Sequence, residues 1–568
     1  MTNESELPVM QKASHVREVD ARGVAWTMRR KTAEAVKRGG ALDYWERAQA
    51  RSARSLDASP GRVAFRTDIA GPAGENLPLE ITVFLRPRAR DIARSILAGS
   101  RAERMWRAAM ALEEAGVPTL RLLAAGSRKA AGFLREDALI AEALDAAPLD
   151  EYLESQPAAD CARLLRVVAP VLARVLRLAH ATGVRIRGLS ANDVLVAEAP
   201  DGVRRLVLGG LEKMRPGTVV SLGARLDDVA SLGASLANAS RTDRRRFFAA
   251  YVDGVHAIER HSREYARLLE SHVEVLRRRG WARIERESLG TNADFRRVRA
   301  GRFRGHTVRG AIELEREDFA RVPPSGMPMP QAVIIKDAPE GRVYEQEVYL
   351  GVGSVMIVVK QKRRIGPAGV LKTFGRRVGA TRAWRTLWAM KARGLPVEEP
   401  LAAFERRKLG FTFESTLITR KVEGAVNLLE FVASRAKGDF PPRLRHGLAR
   451  AVGTLVARMH SAGFTQRDLK APNVLVRLGE AGRPELTLID VDGVCRHREA
   501  PADLCARDLG RLAADFARMP GIHATDFART LAAYLARRPT EPGGKREFIA
   551  LIKDRAGEIL RRHDAKTE

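Results

Sequence analysis

Residues 463–476 read GFTQRDLKAPNVLV, and residues 183–196 read GVRIRGLSANDVLV. The two stretches share length and frame, yet they differ in chemistry. The later one carries Asp468, Lys470 and Asn473, an acid, a cation and an amide on one short segment. The earlier one has Gly188, Ser190 and Asp193 at the matching places. One copy therefore holds a set of reactive side chains that the other lacks.

The likeness extends well beyond this segment. RMWRAAMALEEAGVPTLRLLAA (104–125) matches RAWRTLWAMKARGLPVEEPLAA (382–403), with Arg104/Arg382, Trp106/Trp384, Arg107/Arg385, Gly116/Gly394, Pro118/Pro396 and Leu123/Leu401 at one offset of 278. ALIAEALDAAPLDEYL (138–153) parallels TLITRKVEGAVNLLEFV (416–432), and His180/His460, Gly183/Gly463 and Asp228/Asp508 share an offset of 280. Matches spread over so long a stretch at nearly one offset imply duplication of a whole domain, not a short-period solenoid.

Each copy has the same order of elements. Apolar β-runs come first, LEITVFLR (79–86) and SVMIVVKQK (354–362). A helix around Trp106 or Trp384 follows, with the tryptophan read as a core residue, and Gly-x-Pro stops it. A long amphipathic helix then places Leu444, Leu448, Val452, Leu455 and Met459 on one face, and Gly463 ends it. Strand-like NVLV, a turn and strand-like ELTLIDVDG close the motif region, and residues 503–568 read as mostly helical. The predicted organisation is a charged helical extension over 1–60, a degenerate copy over 61–255, a helical connector over 256–310 and a second copy over 311–568.

The 568 residues suffice for two to four domains. Lys and Arg number 98 against 69 acidic residues, a formal charge of +29. That surplus points to an anionic partner or to solvated Arg-rich faces such as 244–246, 277–279 and 361–364. No specific nucleic-acid binding is expected. Cys161, Cys495 and Cys505 show no metal-ligand pairing, and an odd, sparse count fits a reducing compartment. The first twenty residues lack the pattern of a signal peptide, and no long uncharged apolar run is present. The expected location is cytoplasmic, with peripheral contact at a membrane face as an option.

The second copy holds the parts that phosphoryl transfer needs: a carboxylate to take the acceptor proton, oxygen ligands for Mg²⁺ and cations against the phosphates. Asp468 is the candidate base, and Lys470 reaches the transferring group from the same loop. Asn473 and Asp490, in TLIDVDG, are candidate metal ligands of the hard-oxygen type that suits Mg²⁺. Lys360, at the end of SVMIVVK, is placed to meet the nucleotide phosphates. Gly341 lies in the turn of a candidate hairpin over 334–348. Asp492 is a spare metal or backbone partner, and Asp508 a brace for the motif loop.

Copy two resembles the protein-kinase-like superfamily and, within it, the bacterial lipopolysaccharide kinases that phosphorylate Kdo or heptose of the inner core. The resemblance covers about 330–515 and rests on VVKQKRR, TRAWRTLWAMKARGLPVEEPLA, DLKAPNVLV and LIDVDGV. It implies an α+β chain of two tandem bilobal kinase-like domains, each a small β-rich lobe and a larger helical lobe. It further implies ATP and Mg²⁺ as cofactors, Asp468 as acid/base, Asn473 and Asp490 as metal ligands and Lys360 as the ATP lysine. The implied acceptor is a sugar hydroxyl of an anionic glycolipid.

The pattern has departures. Gln466 replaces the His of His-Arg-Asp, no Gly-x-Gly-x-x-Gly is present, and Ala383 stands where the helix would supply a Glu to Lys360. Only 17 residues separate Asp490 from Asp508, too few for a peptide-binding activation segment. In copy one, Gly188, Ser190 and Gly209 stand for Asp468, Lys470 and Asp490, Leu85 or Arg86 for Lys360, and Asp193 keeps a lone metal-binding option. Copy one reads as a pseudokinase, either regulatory or a relic kept for stability. The alternatives for the whole chain are a non-catalytic scaffold binding nucleotide or a partner, a serine/threonine protein kinase, or a kinase of small molecules.

Overall fold

The structure is a computed structural model. It describes residues 15–43, 57–59, 62–85, 89–156, 158–198, 204–217, 219–236, 239–255, 259–310, 313–314, 317–320, 322–350, 353–363, 379–436, 440–479, 482–538 and 544–567. The chain divides into two compact units, 1–277 and 278–568.

In unit one the small lobe contains β1 (His15–Val19), β2 (Val24–Arg29), α1 (Ala33–Arg38), β3 (Asp57–Ser59), β4 (Arg62–Ala70), β5 (Asn76–Leu85), α2 (Ala89–Ala98), α3 (Arg101–Glu114), β6 (Leu122–Ala130) and β7 (Phe133–Glu142). These strands form one antiparallel sheet in the order β1-β2-β6-β7-β5-β4-β3. The large lobe follows with β8 (Ala146–Pro148), α4 (Leu149–Glu154), α5 (Ala158–Ala181), β9 (Val184–Ile186), β10 (Val194–Glu198), β11 (Arg204–Leu208), β12 (Met214–Pro216), α6 (Leu222–Ser235) and α7 (Arg241–Val252), and α8 (Ser262–Glu287) carries the chain across the division at residue 277.

Unit two repeats this plan. Its small lobe contains β13 (Phe295–Ala300), β14 (Phe303–Val308), β15 (Val333–Ala338), β16 (Gly341–Leu350), β17 (Gly353–Arg363), α9 (Ala380–Lys391), β18 (Pro400–Lys408) and β19 (Phe411–Arg420). The sheet order, β13-β14-β18-β19-β17-β16-β15, matches unit one strand for strand. The large lobe contains β20 (Val426–Asn427), α10 (Leu428–Ala436), α11 (Pro442–Ser461), β21 (Phe464–Gln466), β22 (Val474–Leu478), β23 (Pro484–Leu488), β24 (Val494–Arg496), α12 (Ala502–Phe516), α13 (Ala524–Arg537) and α14 (Gly544–Thr567). The fold is thus α+β, two tandem bilobal units.

The predicted apolar face of α11 packs inward. Leu448, Val452, Leu455 and Met459 are buried in the core of unit two, and Leu444 packs against it. Trp384 is fully buried, and its indole N–H donates to the Ser288 carbonyl at 2.8 Å. Such burial of an aromatic with its polar atom satisfied is what a core tryptophan needs.

The expected helical extension over 1–60 is corrected across the described residues. β1 and β2 are strands of the main sheet, and Val24, Trp26 and Met28 alternate inward while their neighbours stay at the surface. Only α1 is helical there. The predicted connector has a helix, α8, but its later part forms β13 and β14, paired to β18. In both places a period of two hides among charged residues, because one strand face is solvated.

Candidate active site

Unit two places its reactive side chains on two short loops and one strand. Gly463 stops α11 with φ +81°, and its N–H donates to the His460 carbonyl at 3.0 Å. β21 then leads to Asp468, and a 3-10 turn over Ala471–Asn473 leads into β22. Three side-chain hydrogen bonds hold this segment against its neighbours, and a fourth closes the loop on itself. The Gln466 N–H donates to Asp508 Oδ2 at 2.6 Å, and Gln466 Nε2 donates to the Asp490 carbonyl at 2.7 Å. The Ala471 N–H donates to Asp515 Oδ2 at 2.7 Å, and Asn473 Nδ2 donates to the Asp468 carbonyl at 2.9 Å. Gln466, which departs from the expected His, therefore ties the Asp468 loop to the Asp490 loop. Asp508 braces the same loop from below.

Asp490 caps the 3-10 turn over Val491–Gly493 in the left-handed region, with φ +59°. A non-glycine residue there is a strained placement that its surroundings must hold. Here they do so at both ends: Gln466 binds its carbonyl, and its N–H donates to Glu398 Oε1 at 3.2 Å.

Glu398 is the residue that sequence reasoning missed. It is buried in the segment entering β18, and Lys360 Nζ donates to both of its carboxylate oxygens, at 2.7 and 2.9 Å. Thr419 Oγ1 also donates to Glu398 Oε2, at 2.9 Å. The backbone around Glu398 is tied to β23: its N–H donates to the Leu488 carbonyl at 3.1 Å, and the Leu488 N–H donates to the Pro396 carbonyl at 2.8 Å. So the partner of Lys360 comes not from α9, where Ala383 is buried, but from a segment hydrogen-bonded to Leu488, the last residue of β23, two residues before Asp490. Its only trace in the sequence is an acidic pair inside the apolar run LPVEEPLAA.

Asp468 is about half exposed, and two cations flank it. Lys470 Nζ lies 2.7 Å from Oδ2, and Arg511 Nε lies 3.9 Å from Oδ1. Arg511 is itself fixed by Asp515 at 3.0 Å. Asp492 pairs with Lys362 of β17. The hairpin predicted over 334–348 exists as β15 and β16, and Gly341 begins β16 opposite Lys362. A Cβ at Gly341 would run into the carbonyl oxygen of Gln361, so only glycine lets the strands approach there.

Comparison of the two units sorts these residues. The Ile489 N–H donates to the Asn473 carbonyl at 2.9 Å, as the Gly209 N–H does to Asp193 at 2.8 Å. Gly209 therefore matches Ile489, and Gly210, with φ +57°, matches Asp490, which corrects the expected pairing of Gly209 with Asp490. Lys360 pairs with Leu417 across β17 and β19, as Thr82 pairs with Leu139 across β5 and β7. The counterpart of Lys360 is thus Thr82, not Leu85; Arg86 lies outside the described residues. By the same register Leu120 replaces Glu398, and Ser231 replaces Arg511 on α6. Lys360, Glu398, Asp468, Lys470, Asp490 and Arg511 all have uncharged counterparts in unit one, whereas Asp492 is matched by Glu212.

A second set is kept in both. His460 bonds Asp508 at 3.3 Å and Tyr534 at 2.9 Å; His180 bonds Asp228 at 3.3 Å and Tyr251 at 2.6 Å. Asp228 accepts from the Ile186 N–H at 2.7 Å, as Asp508 does from Gln466. Burial holds both imidazoles below their ordinary pKa and pushes the Tyr251 hydroxyl up to about 12. A triad retained where the acid is gone is a framework element.

The donor set fits a phosphate-bound Mg²⁺. The amide nitrogen of Asn473 is committed to Asp468, which leaves its oxygen as the ligating end, and Asp490 adds one carboxylate. Among the described residues no group of three or more His, Cys, Asp or Glu side chains forms a metal cluster. A cation held here would complete its shell from phosphates and water, as Mg²⁺ does.

A small β-lobe with a strand lysine, joined to a helical lobe with two acid-bearing loops, defines a protein-kinase-like phosphotransferase fold. The chain belongs to the lipopolysaccharide kinase (Kdo/WaaP) family, whose profile matches it twice, over 87–251 and 368–534. Curated relatives include the 3-deoxy-D-manno-octulosonic acid kinases of Haemophilus influenzae (strain PittEE) and Xylella fastidiosa (strain 9a5c). The first is 30% identical over 100 residues, 17% of this chain and 38% of the relative. The second is 29% identical over 190 residues, 31% of this chain and 70% of the relative. The chain spans about two-fifths of the length of the Haemophilus influenzae relative. Solved structures that it resembles include WaaP in complex with acyl carrier protein, at 22% identity and TM-score 0.32, covering 40% of this chain and 88% of that one. Glucosamine kinase matches at 16% identity and TM-score 0.26, covering 46% and 85%.

Proposed function

We propose that unit two transfers the γ-phosphoryl group of ATP to a sugar hydroxyl of lipopolysaccharide, in the inner core, and that unit one is non-catalytic. The observation that carries this reading is the hydrogen-bonded chain Lys360–Glu398–Asp490–Gln466, with Asp468 two residues beyond Gln466 on the same loop, present in unit two and lost in unit one. Asp468 orients the acceptor hydroxyl and takes its proton as the new O–P bond forms and the bond from the γ-phosphorus to the β–γ bridging oxygen breaks; ADP leaves with that oxygen. Lys360, fixed by Glu398, meets the nucleotide phosphates, with the Gly341 hairpin beside them. Lys470 faces the transferring group. Asn473 and Asp490 would hold Mg²⁺, which supplies charge neutralisation at the phosphates when bound.

The acceptor is inferred to be anionic. Lys470 and Arg511 flank Asp468, and the chain carries a formal charge of +29. No helix among the described residues is long and apolar enough to cross a membrane, so a lipid-linked acceptor would be met through the protein surface. The test is ATP turnover by the purified chain with Mg²⁺ and lipopolysaccharide, beside Asp468→Ala and Asp490→Ala. The expected result is acceptor-dependent turnover lost in both variants. Turnover that survives both substitutions, or a parent that binds no nucleotide, would overturn the reading.

A further inference from the structure

We propose that in unit one the ammonium group of Lys213 permanently takes the place that a divalent cation would hold in unit two, locking the former metal site with an internal ion pair. The inference rests on reading Asn473 and Asp490 as the cation ligands of unit two. Their counterparts are Asp193 and Gly210. The Asp193 carboxylate is buried and turned toward Gly210. A Cβ built on Gly210 would lie 2.5 Å from Asp193 Oδ1 and 2.9 Å from its Cγ. As it is turned here, Asp193 fills the space into which an aspartate at 210 would grow, so a second carboxylate there would have to push it aside.

One oxygen of the Asp193 carboxylate is taken up by the protein. Asp193 Oδ2 accepts from the Ser190 N–H at 2.8 Å, from Ser190 Oγ at 2.7 Å and from Lys213 Nζ at 2.7 Å. Lys213 also reaches Ser190 Oγ at 3.5 Å. Lys213 occupies the position of Gly493: the Arg187 N–H donates to its carbonyl at 3.2 Å, as the Arg467 N–H does to Gly493 at 3.1 Å. Unit one thus has a lysine where unit two has a glycine, and its charge lies against an aspartate where unit two has an asparagine. A divalent ion arriving there would face an ammonium group already bonded to its only ligand, and like charges at that separation repel strongly. The ammonium neutralises the buried carboxylate that would otherwise be costly to keep. The turn at Asp193 consequently needs no metal to balance its carboxylate.

The test counts Mn²⁺ bound per full-length chain in the presence of ATP, by electron paramagnetic resonance, and measures unfolding midpoints. Expected are one Mn²⁺ in the parent, none in Asp490→Ala and one in Asp193→Asn. Lys213→Met should lower an unfolding midpoint that Lys213→Arg preserves, and Mn²⁺ should not restore it. Two Mn²⁺ per chain, with one surviving Asp490→Ala and lost in Asp193→Asn, would overturn the lock. So would a Lys213→Met midpoint equal to that of the parent. A parent that binds no Mn²⁺ would remove the unit-two reading instead, and the Lys213 midpoints would still decide the lock.

Discussion

Replacing Glu398 separates charge from shape at the centre of the proposed site. In the parent its carboxylate receives Lys360 Nζ twice, Thr419 Oγ1 and the Asp490 N–H. Glu398→Gln keeps the volume and an oxygen for two of these donors, but removes the charge that holds Lys360. Glu398→Ala removes everything: a largely buried ammonium loses its counter-ion, and a hydroxyl and a backbone N–H are orphaned. Breaking a buried ion pair from one side costs about 3–5 kcal/mol. Lys360 retains some solvent, with 19% of its side chain exposed, so the lower end, about 3 kcal/mol, is expected for Ala and about 1 kcal/mol for Gln. Activity should respond differently. A misplaced cation at the phosphates costs about 10²–10³ in kcat, and Gln should lose nearly as much as Ala. The assay pairs ATP turnover with urea unfolding for both variants, with Glu399→Gln, which lies outside the pair, as control. If Glu398→Gln folds normally and turns over within about twofold of the parent, the idea that Glu398 positions Lys360 is wrong.

Three further outcomes follow from the geometry. His180 and His460 are held neutral in the fold, below the 6.5 of an ordinary histidine. Their contribution is therefore complete above pH 6.5 and is lost as pH falls through that value toward the folded pKa, with a limiting slope of about 2.7 kcal/mol per pH unit for the two together. Unfolding midpoints against pH should show this acid loss, and His180→Gln should remove only the part belonging to unit one. Gly463→Ala should destabilise unit two by about 1–3 kcal/mol, because φ is +81° and the new Cβ would lie 2.5 Å from the His497 carbonyl; urea unfolding reads this directly. Arg511→Ala should raise the acceptor KM by about 10–100-fold, the equivalent of one charge-assisted hydrogen bond, while the ATP KM stays near that of the parent. An equal rise in both would argue against a role in acceptor binding.

Much of the architecture was legible because duplication printed it twice. The offsets of 278 and 280 located the tryptophan helix and the motif loop in both units, SVMIVVKQK marked β17 as an apolar strand, and the face of α11 followed from periodicity. What stayed hidden had physical causes. β1 and β2 present charged residues on their open face, so a solvated strand looked like a polar helix. The adjacent glycines 209 and 210 left a one-residue ambiguity that only the Asp193 carbonyl contact and the left-handed φ resolve. Glu398 was invisible because its role depends on a strand pairing 90 residues further on, with Leu488, and no local pattern encodes that. Lys213 was passed over for the same reason, since its partner lies across the turn at Asp193.

The two units also show which features of this fold serve structure and which serve charge. The His–Asp–Tyr triad and the carbonyl contacts between Pro118 and Leu208, or Pro396 and Leu488, are the same in each. They organise the loops whether or not a reaction occurs. The ionic set changes as a block: lysine and its glutamate become Thr82 and Leu120 together, and the acid and its flanking cations become Gly188, Ser190 and Ser231. That joint change has an energetic reason. A buried glutamate without its lysine would be an unpaired charge, and a lysine without its glutamate the same, so neither survives alone at low cost. Asp193 marks where the logic needed a replacement. It puts a carboxylate in a buried turn where unit two has the neutral Asn473, and Lys213 supplies the counter-charge that the buried carboxylate requires.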